Sequence, residues 1–248
     1  MDGPETRDPY YRDDLARIHH LGFGFHADAC APGILELLAP VRDRNGLVVE
    51  IGCGSGLLTK HLVDAGHRVI ATDASNAMLE LARQYATGAE DIRPLRLPDD
   101  PVPGADAIVS VGHVLSYLDD EDSVDRALAA LAGALRPGGV LAIDLCDVEY
   151  GRFRQGAPTQ VRRGDGWMIV TEFSIPSPNR FVREMTTFLR NSDDSWRRDD
   201  ETHHNVLVDT ARVPTLLARH GVDASILASF GQETLPVGLV TVIGHRPR

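Results

Sequence analysis

The chain is short of the features that mark several large function classes. Of its 25 basic residues only Lys60 is lysine, against 36 acids, and the net charge is −11. That balance argues against nucleic acid or an anionic membrane surface as a partner, since either needs a basic face. Cysteine is scarce: Cys30, Cys53 and Cys146 form an odd set without metal-ligand spacing. The pattern suits a reducing, cytoplasmic setting, and no metal site is expected. No apolar run approaches membrane-spanning length, and residues 1–25 lack the apolar stretch of a signal peptide. What remains is 248 residues, 43% hydrophobic, enough for one large α/β domain with elaborations. The acids gather in turns such as Asp119-Asp120-Glu121-Asp122, as on a solvated surface.

Against that background stands Val48-Val49-Glu50-Ile51-Gly52-Cys53-Gly54-Ser55-Gly56, followed by Arg68-Val69-Ile70-Ala71-Thr72-Asp73. A strand, a glycine-rich turn, a helix and a second strand ending in a carboxylate make half of a nucleotide-binding sheet. A dinucleotide site wants G-x-G-x-x-G, so that a helix N-terminus receives the pyrophosphate. Here the third glycine arrives one residue early, at Gly56, and Leu57 takes the usual place. Residues 52–58 carry no Lys or Arg, and Glu50 stands at the mouth of the loop. A diphosphate is repelled there; a ligand with an ammonium and a sulfonium, such as S-adenosylmethionine, is attracted. Asp73 is placed to accept both ribose hydroxyl protons.

These motifs resemble the first two of the class I S-adenosylmethionine-dependent methyltransferases. Asp106-Ala-Ile-Val-Ser-Val-Gly112-His113 resembles the family's fourth strand, and Leu135-Arg136-Pro137-Gly138-Gly139 through Asp144 its fifth. The resemblance implies a Rossmann-like methyltransferase sheet, mostly parallel with an antiparallel last strand. It also implies S-adenosylmethionine as cofactor and S-adenosylhomocysteine as product. Small-molecule N-methyltransferases acting on amino sugars or glycine-like amines look similar in carrying a β insertion before the last helix.

The expected organisation is an N-terminal helical cap (1–45), an α/β core (46–150), an antiparallel β insertion (151–208) and a closing helix and hairpin (209–248). Residues 1–9 read as unstructured, and Pro32 as the start of a second helix. Strands are expected at 47–51, 68–73, 92–96, 106–111 and 140–145. Period-two alternation over Trp167–Ile175, Phe181–Leu189 and Glu201–Val208 marks the insertion. It serves as a substrate lid or an oligomer interface, in a monomer or a homodimer.

On the resemblance, Glu50, Gly52, Cys53 and Gly54 hold the methionine part of the cofactor and Asp73 the ribose. Ala74 and Met78 cover the adenine, which Leu95, Arg96 and Leu97 flank without an acid at the matching place. Gly112, His113 and Tyr11 complete the cofactor set. Transfer needs chiefly alignment of a lone pair with the methyl–sulfur bond, and a hydroxyl acceptor gains from a base, commonly His. The candidates are His19, His20, His26, His113, His203 and His204, with His113 and His20 preferred as catalytic. The pairs Arg152/Arg154 and Arg162/Arg163 are the places an anionic substrate could meet. The expected activity is methyl transfer to N or O of a small-molecule acceptor. The rivals are a cofactor-binding protein that does not methylate (sensor, scaffold or cyclase) and an NAD-dependent dehydrogenase.

Overall fold

The structure, a computed structural model, describes residues 10–248, so the reading of residues 1–9 lies outside it. Strands β1 (Leu47–Ile51), β2 (Arg68–Asp73), β3 (Asp91–Pro94), β4 (Ala105–Ser110) and β5 (Leu135–Cys146) come first. Then follow β6 (Gln160–Gly164), β7 (Trp167–Ser177), β8 (Arg180–Arg190) and β9 (Trp196–Val206), and finally β10 (Asp223–Leu227) and β11 (Leu239–His245). The helices are α1 (Asp13–Gly22), α2 (Phe25–Asp43), α3 (Leu57–Asp64), α4 (Asn76–Tyr85), α5 (Glu121–Ala134), α6 (Val148–Arg154) and α7 (Val213–Arg219).

A seven-stranded sheet runs β10-β11-β5-β4-β1-β2-β3, and β11 is antiparallel to both neighbours. This is the Rossmann-like methyltransferase sheet. Both of its faces are covered, which is why β1 is buried on both sides and apolar at every position but Glu50. Val49, Ile51, Ile108, Leu141 and Ile143 pack on α5 and α7 through Leu128, Leu131 and Leu217. Val48, Val69, Val109 and Ala142 face the other way, onto Ile34 and Leu38 of α2 and Leu58 and Leu62 of α3. The crossing from β1 to β4 leaves a crevice at the carboxyl ends of these strands, where ligands of such sheets bind.

Two expectations about the N-terminal region need correction. Helix α2 begins at Phe25 and runs through Pro32 and Pro40. Pro32 deprives the Asp28 carbonyl of its helical donor, but Asp28 is exposed, so water can serve it. Burial of Cys30, Ala31, Ile34, Leu38 and Val41 on the sheet offsets the remaining cost. Helix α2 is therefore a layer on the α/β sheet and does not share one cap with α1, which packs on α4 and the insertion. Helix α6 was not expected; it starts on Asp147, whose side chain accepts from the Glu149 amide at 3.0 Å. Strand β5 also begins earlier than residue 140, because the Pro137–Gly139 segment stays in the sheet through a bulge opposite Ala105–Ala107.

The insertion forms a separate antiparallel sheet, β6-β7-β8-β9. Phe181, Arg183, Met185, Thr187 and Leu189 of β8 share its inner face with Glu201, His203 and Asn205 of β9. Arg183 lies directly across from His203. Helix α1 packs between this sheet and α4. It is tied down where Arg197 grips the Asp14 carboxylate at 2.6–2.9 Å and Arg12 meets Asp199 at 2.7 Å.

Candidate active site

The loop after β1 is held open by its own backbone. The Cys53 amide donates to the Thr72 carbonyl and the Gly54 amide to Asp73 Oδ2, both at 2.8 Å. Asp73 Oδ1 takes the Ser75 amide at 2.8 Å, so one carboxylate joins the glycine loop to the start of α4. Gly52 has φ +68°, and a Cβ there would lie 2.3 Å from a Val114 methyl; no other residue fits. Above the loop lies a cavity of about 500 Å³, within the size range of small-ligand sites. Its wall includes every residue expected to hold the cofactor except His113.

Glu50 is not at the mouth of the loop. It lies beneath it, 2% exposed, and Thr59 Oγ1 donates to its carboxylate at 2.6 Å. Burial pushes its pKa up to about 8; the Thr59 bond opposes this and the Asp73 charge adds to it. Burial likewise raises the Cys53 thiol well above its ordinary value, so this cysteine is a small filler of the loop, not a nucleophile.

The two preferred histidines are not on the cavity wall, whereas His19 and His26 are. His20 turns away: its Nδ1 meets Ser55 Oγ at 2.9 Å and its ring stacks on Tyr85 at 4.0 Å. Helix α1 packs on two sides, so neighbouring positions are both covered, and it is His19 that faces inward. His113 has left-handed backbone, φ +50°, which turns its ring behind the wall to stack on Tyr117 at 5.7 Å. Its backbone does the visible work. The His113 and Gly112 amides donate to the two oxygens of Asp144 at 2.6 and 2.8 Å, and His26 Nε2 meets the same carboxylate at 3.1 Å. Asp144 is fully buried at the end of β5, and sequence reasoning assigned it no role. Residues 92–97 carry no acid, but Asp99, a little further on, is on the cavity wall. Arg96 points its guanidinium to the Ala74 carbonyl at 3.0 Å.

Behind the cavity, α1, β8, β9 and the turn Val114–Tyr117 bring together a polar cluster from which sequence reasoning singled out Tyr11 and His203 but not Tyr117, Glu201 or Arg183. The Tyr11 and Tyr117 hydroxyls are 2.9 Å apart, and both rings reach the cavity. His203 Nδ1 lies 3.4 Å from the Tyr117 hydroxyl and its Nε2 3.0 Å from Glu201, which also accepts the Arg12 amide at 2.9 Å. Burial, then the charges of Arg183 and Arg12, lowers His203 to about 2, so its ring is neutral. With Nε2–H given to Glu201, Nδ1 is left as an acceptor toward Tyr117. The arginine pairs singled out in the sequence are elsewhere. Arg152 pairs with Glu149, Arg154 lies over the Tyr150 ring at 3.4 Å, and Arg162 lies over Phe23 and Phe25. Among the described residues no group of three or more His, Cys, Asp or Glu is placed to hold a metal ion, and no helix is long and apolar enough to cross a membrane.

Residues 48–139 match a family model described as a methyltransferase domain. Residues 48–139 thus carry the signature of a methyltransferase domain, on a sheet of the Rossmann-like methyltransferase order. It is 30% identical over 162 residues to glycine N-methyltransferase of Rattus norvegicus, covering 58% of this chain and 55% of that one. It is 24% identical over 192 residues to dTDP-3-amino-3,4,6-trideoxy-alpha-D-glucopyranose N,N-dimethyltransferase of Streptomyces venezuelae, covering 70% and 79%. The chain thus spans little more than half the length of the first of these relatives. In fold it resembles the sugar N-methyltransferase KedS8 from Streptoalloteichus, with TM-score 0.78, 21% identity, and 100% and 99% of the two chains covered.

Proposed function

We propose that the protein transfers a methyl group from S-adenosylmethionine to a nitrogen or oxygen of a small-molecule acceptor in the cytoplasm. The observation that carries this reading is the cradle itself: Asp73 joined to the Gly54 amide beside a cavity with no phosphate-binding cation in the glycine loop. The N-methyltransferases of small molecules among the relatives support it. The cofactor fits the residues present. Gly54 faces open space, since a Cβ there would meet only Met78 Sδ, at 3.9 Å. Glu50 and the Gly52–Gly54 backbone hold the methionine part, Asp73 the ribose, and Ala74, Met78, Leu95 and Leu97 the adenine, with Asp99 at its edge.

When bound, the cofactor supplies a methyl already activated by positive sulfur. The chain's part is to align an acceptor against it and to exclude water. Tyr11, Tyr117, His19 and His26 form the wall on the acceptor side. Neutral His203, oriented by Glu201, accepts the hydrogen bond of the Tyr117 hydroxyl and so fixes the phenol that faces the acceptor; with its pKa lowered to about 2 it is a positioning group and not the base. The test is transfer of isotope-labelled methyl from S-adenosylmethionine into a panel of amines, amino acids, amino sugars and phenols. Label is expected in an acceptor. Label that never leaves the donor across the panel, while S-adenosylhomocysteine binds, points instead to a cofactor-binding protein that does not methylate.

A further inference from the structure

The cluster behind Tyr11 and Tyr117 contains a charge that its surroundings do not balance. Arg183 projects from the inner face of β8, and its Nη2 donates to the Tyr117 hydroxyl. Its strongest electrostatic neighbours are the phenols Tyr117, Tyr11 and Tyr150. Among the described residues no carboxylate is within ion-pair distance of it, and its buried Nε has no hydrogen-bond partner. A guanidinium cannot shed its charge, so an unpaired one in the interior is strongly destabilising unless something else balances it.

Two more nitrogens share this condition. His19 and His113 both lie in the field of Arg183, and each has a buried Nδ1 with no partner among the described residues. Burial, then Arg183, lowers His19 to about 4 and His113 well below its ordinary value, so both rings are neutral and can each donate one N–H. The nearby carboxylates are engaged already, Asp144 by Gly112, His113 and His26, and Glu201 by His203 and Arg12. Buried polar groups are almost always paired, so the unpaired Arg183 Nε and the two unpaired ring nitrogens in its field call for a missing acceptor.

We infer that this cluster receives an oxyanion, a carboxylate or phosphate group carried by the methyl acceptor, on the Arg183 fork with His19 and His113 as flanking donors. The inference rests on the methyl-transfer reading above and names the acceptor class within it. Tyr11 and Tyr117 line the cavity in front of Arg183, so the oxyanion reaches the guanidinium by taking the place of a tyrosine hydroxyl. That anchor leaves the acceptor's nucleophile on the cofactor side of the two phenols.

The test uses the full chain saturated with S-adenosylhomocysteine and titrated separately with acetate and with inorganic phosphate, chloride being the ionic-strength control. Binding is read by calorimetry and by the ring nitrogen NMR signals of the histidines. Saturable binding of at least one anion is expected, with His19 and His113 signals moving over the same concentration range. Arg183→Met should weaken that binding by about tenfold or more while S-adenosylhomocysteine affinity stays within about twofold; Arg183→Lys should fall between. Preference for acetate assigns a carboxylate, and preference for phosphate assigns a phosphate ester. Equal anion binding by Arg183→Met, or no saturable histidine shift with either anion, overturns the inference. Should Arg183→Met fail to fold, the wild-type histidine shifts and the lysine variant decide. Failure of S-adenosylhomocysteine to bind the wild-type protein would overturn the methyl-transfer reading instead.

Discussion

Glu50→Gln should make the ligand-free protein more stable at neutral and alkaline pH. The carboxyl is buried with Thr59 as hydrogen-bond donor, and its pKa rises from 4.5 to about 8. Because the folded state holds this proton more tightly than the unfolded chain, its contribution is fully present below about pH 4.5. It is lost progressively as pH rises through about 8. At about 1.4 kcal/mol per tenfold change in protonation, the wild type should lose roughly 4 kcal/mol relative to the Gln variant across that window. Urea unfolding of both proteins from pH 5 to 8.5 measures the difference directly. Parallel stability curves would refute the reasoning. A cationic ligand head group in the cradle favours the ionised form, so S-adenosylhomocysteine binding at pH 7 should release a proton. Calorimetry in buffers of different ionisation enthalpy detects it.

Asp73→Ala should weaken S-adenosylhomocysteine binding by about 1.5–3 kcal/mol, the scale of hydrogen bonds to a charged group, and an unchanged Kd would exclude the ribose role. Asp144→Ala leaves two amides and His26 without their buried acceptor and should cost about 3 kcal/mol or more in urea unfolding. Gly33→Ala puts a Cβ 2.6 Å from the Phe230 and Gly231 backbone, so α2 must shift off the last loop. The expected loss is about 2 kcal/mol, seen as a lower unfolding midpoint with unchanged m-value. His20→Ala should lower stability by about 1 kcal/mol through loss of the Ser55 bond and Tyr85 stacking, yet leave S-adenosylhomocysteine affinity intact.

Much of the fold was legible because its signals are local. Val48–Ile51, Val69–Asp73 and Ala107–Ser110 are short apolar runs ended by turn or polar residues, and the glycine loop follows directly on the first. Helix α2 was misread at Pro32 because a local breaker signal was outweighed by burial against a sheet formed later in the chain. The wall of the candidate cavity was legible where one segment supplies both scaffold and lining, as at Gly52–Gly54 and Asp73. It was not where contacts join distant segments. Asp144 holds Gly112, His113 and His26 from three places. His19 and His20 differ only in which neighbour of α1 each meets. Arg183 sits on the inner face of a half-buried strand, where a charged residue in an alternating pattern reads as solvent-facing.

The most direct test of the central claim is calorimetric titration of the full chain with S-adenosylhomocysteine and, separately, with NAD. Saturable S-adenosylhomocysteine binding that Asp73→Ala weakens by about tenfold or more, with no NAD binding, is the predicted result. Tight NAD binding without S-adenosylhomocysteine binding would contradict it.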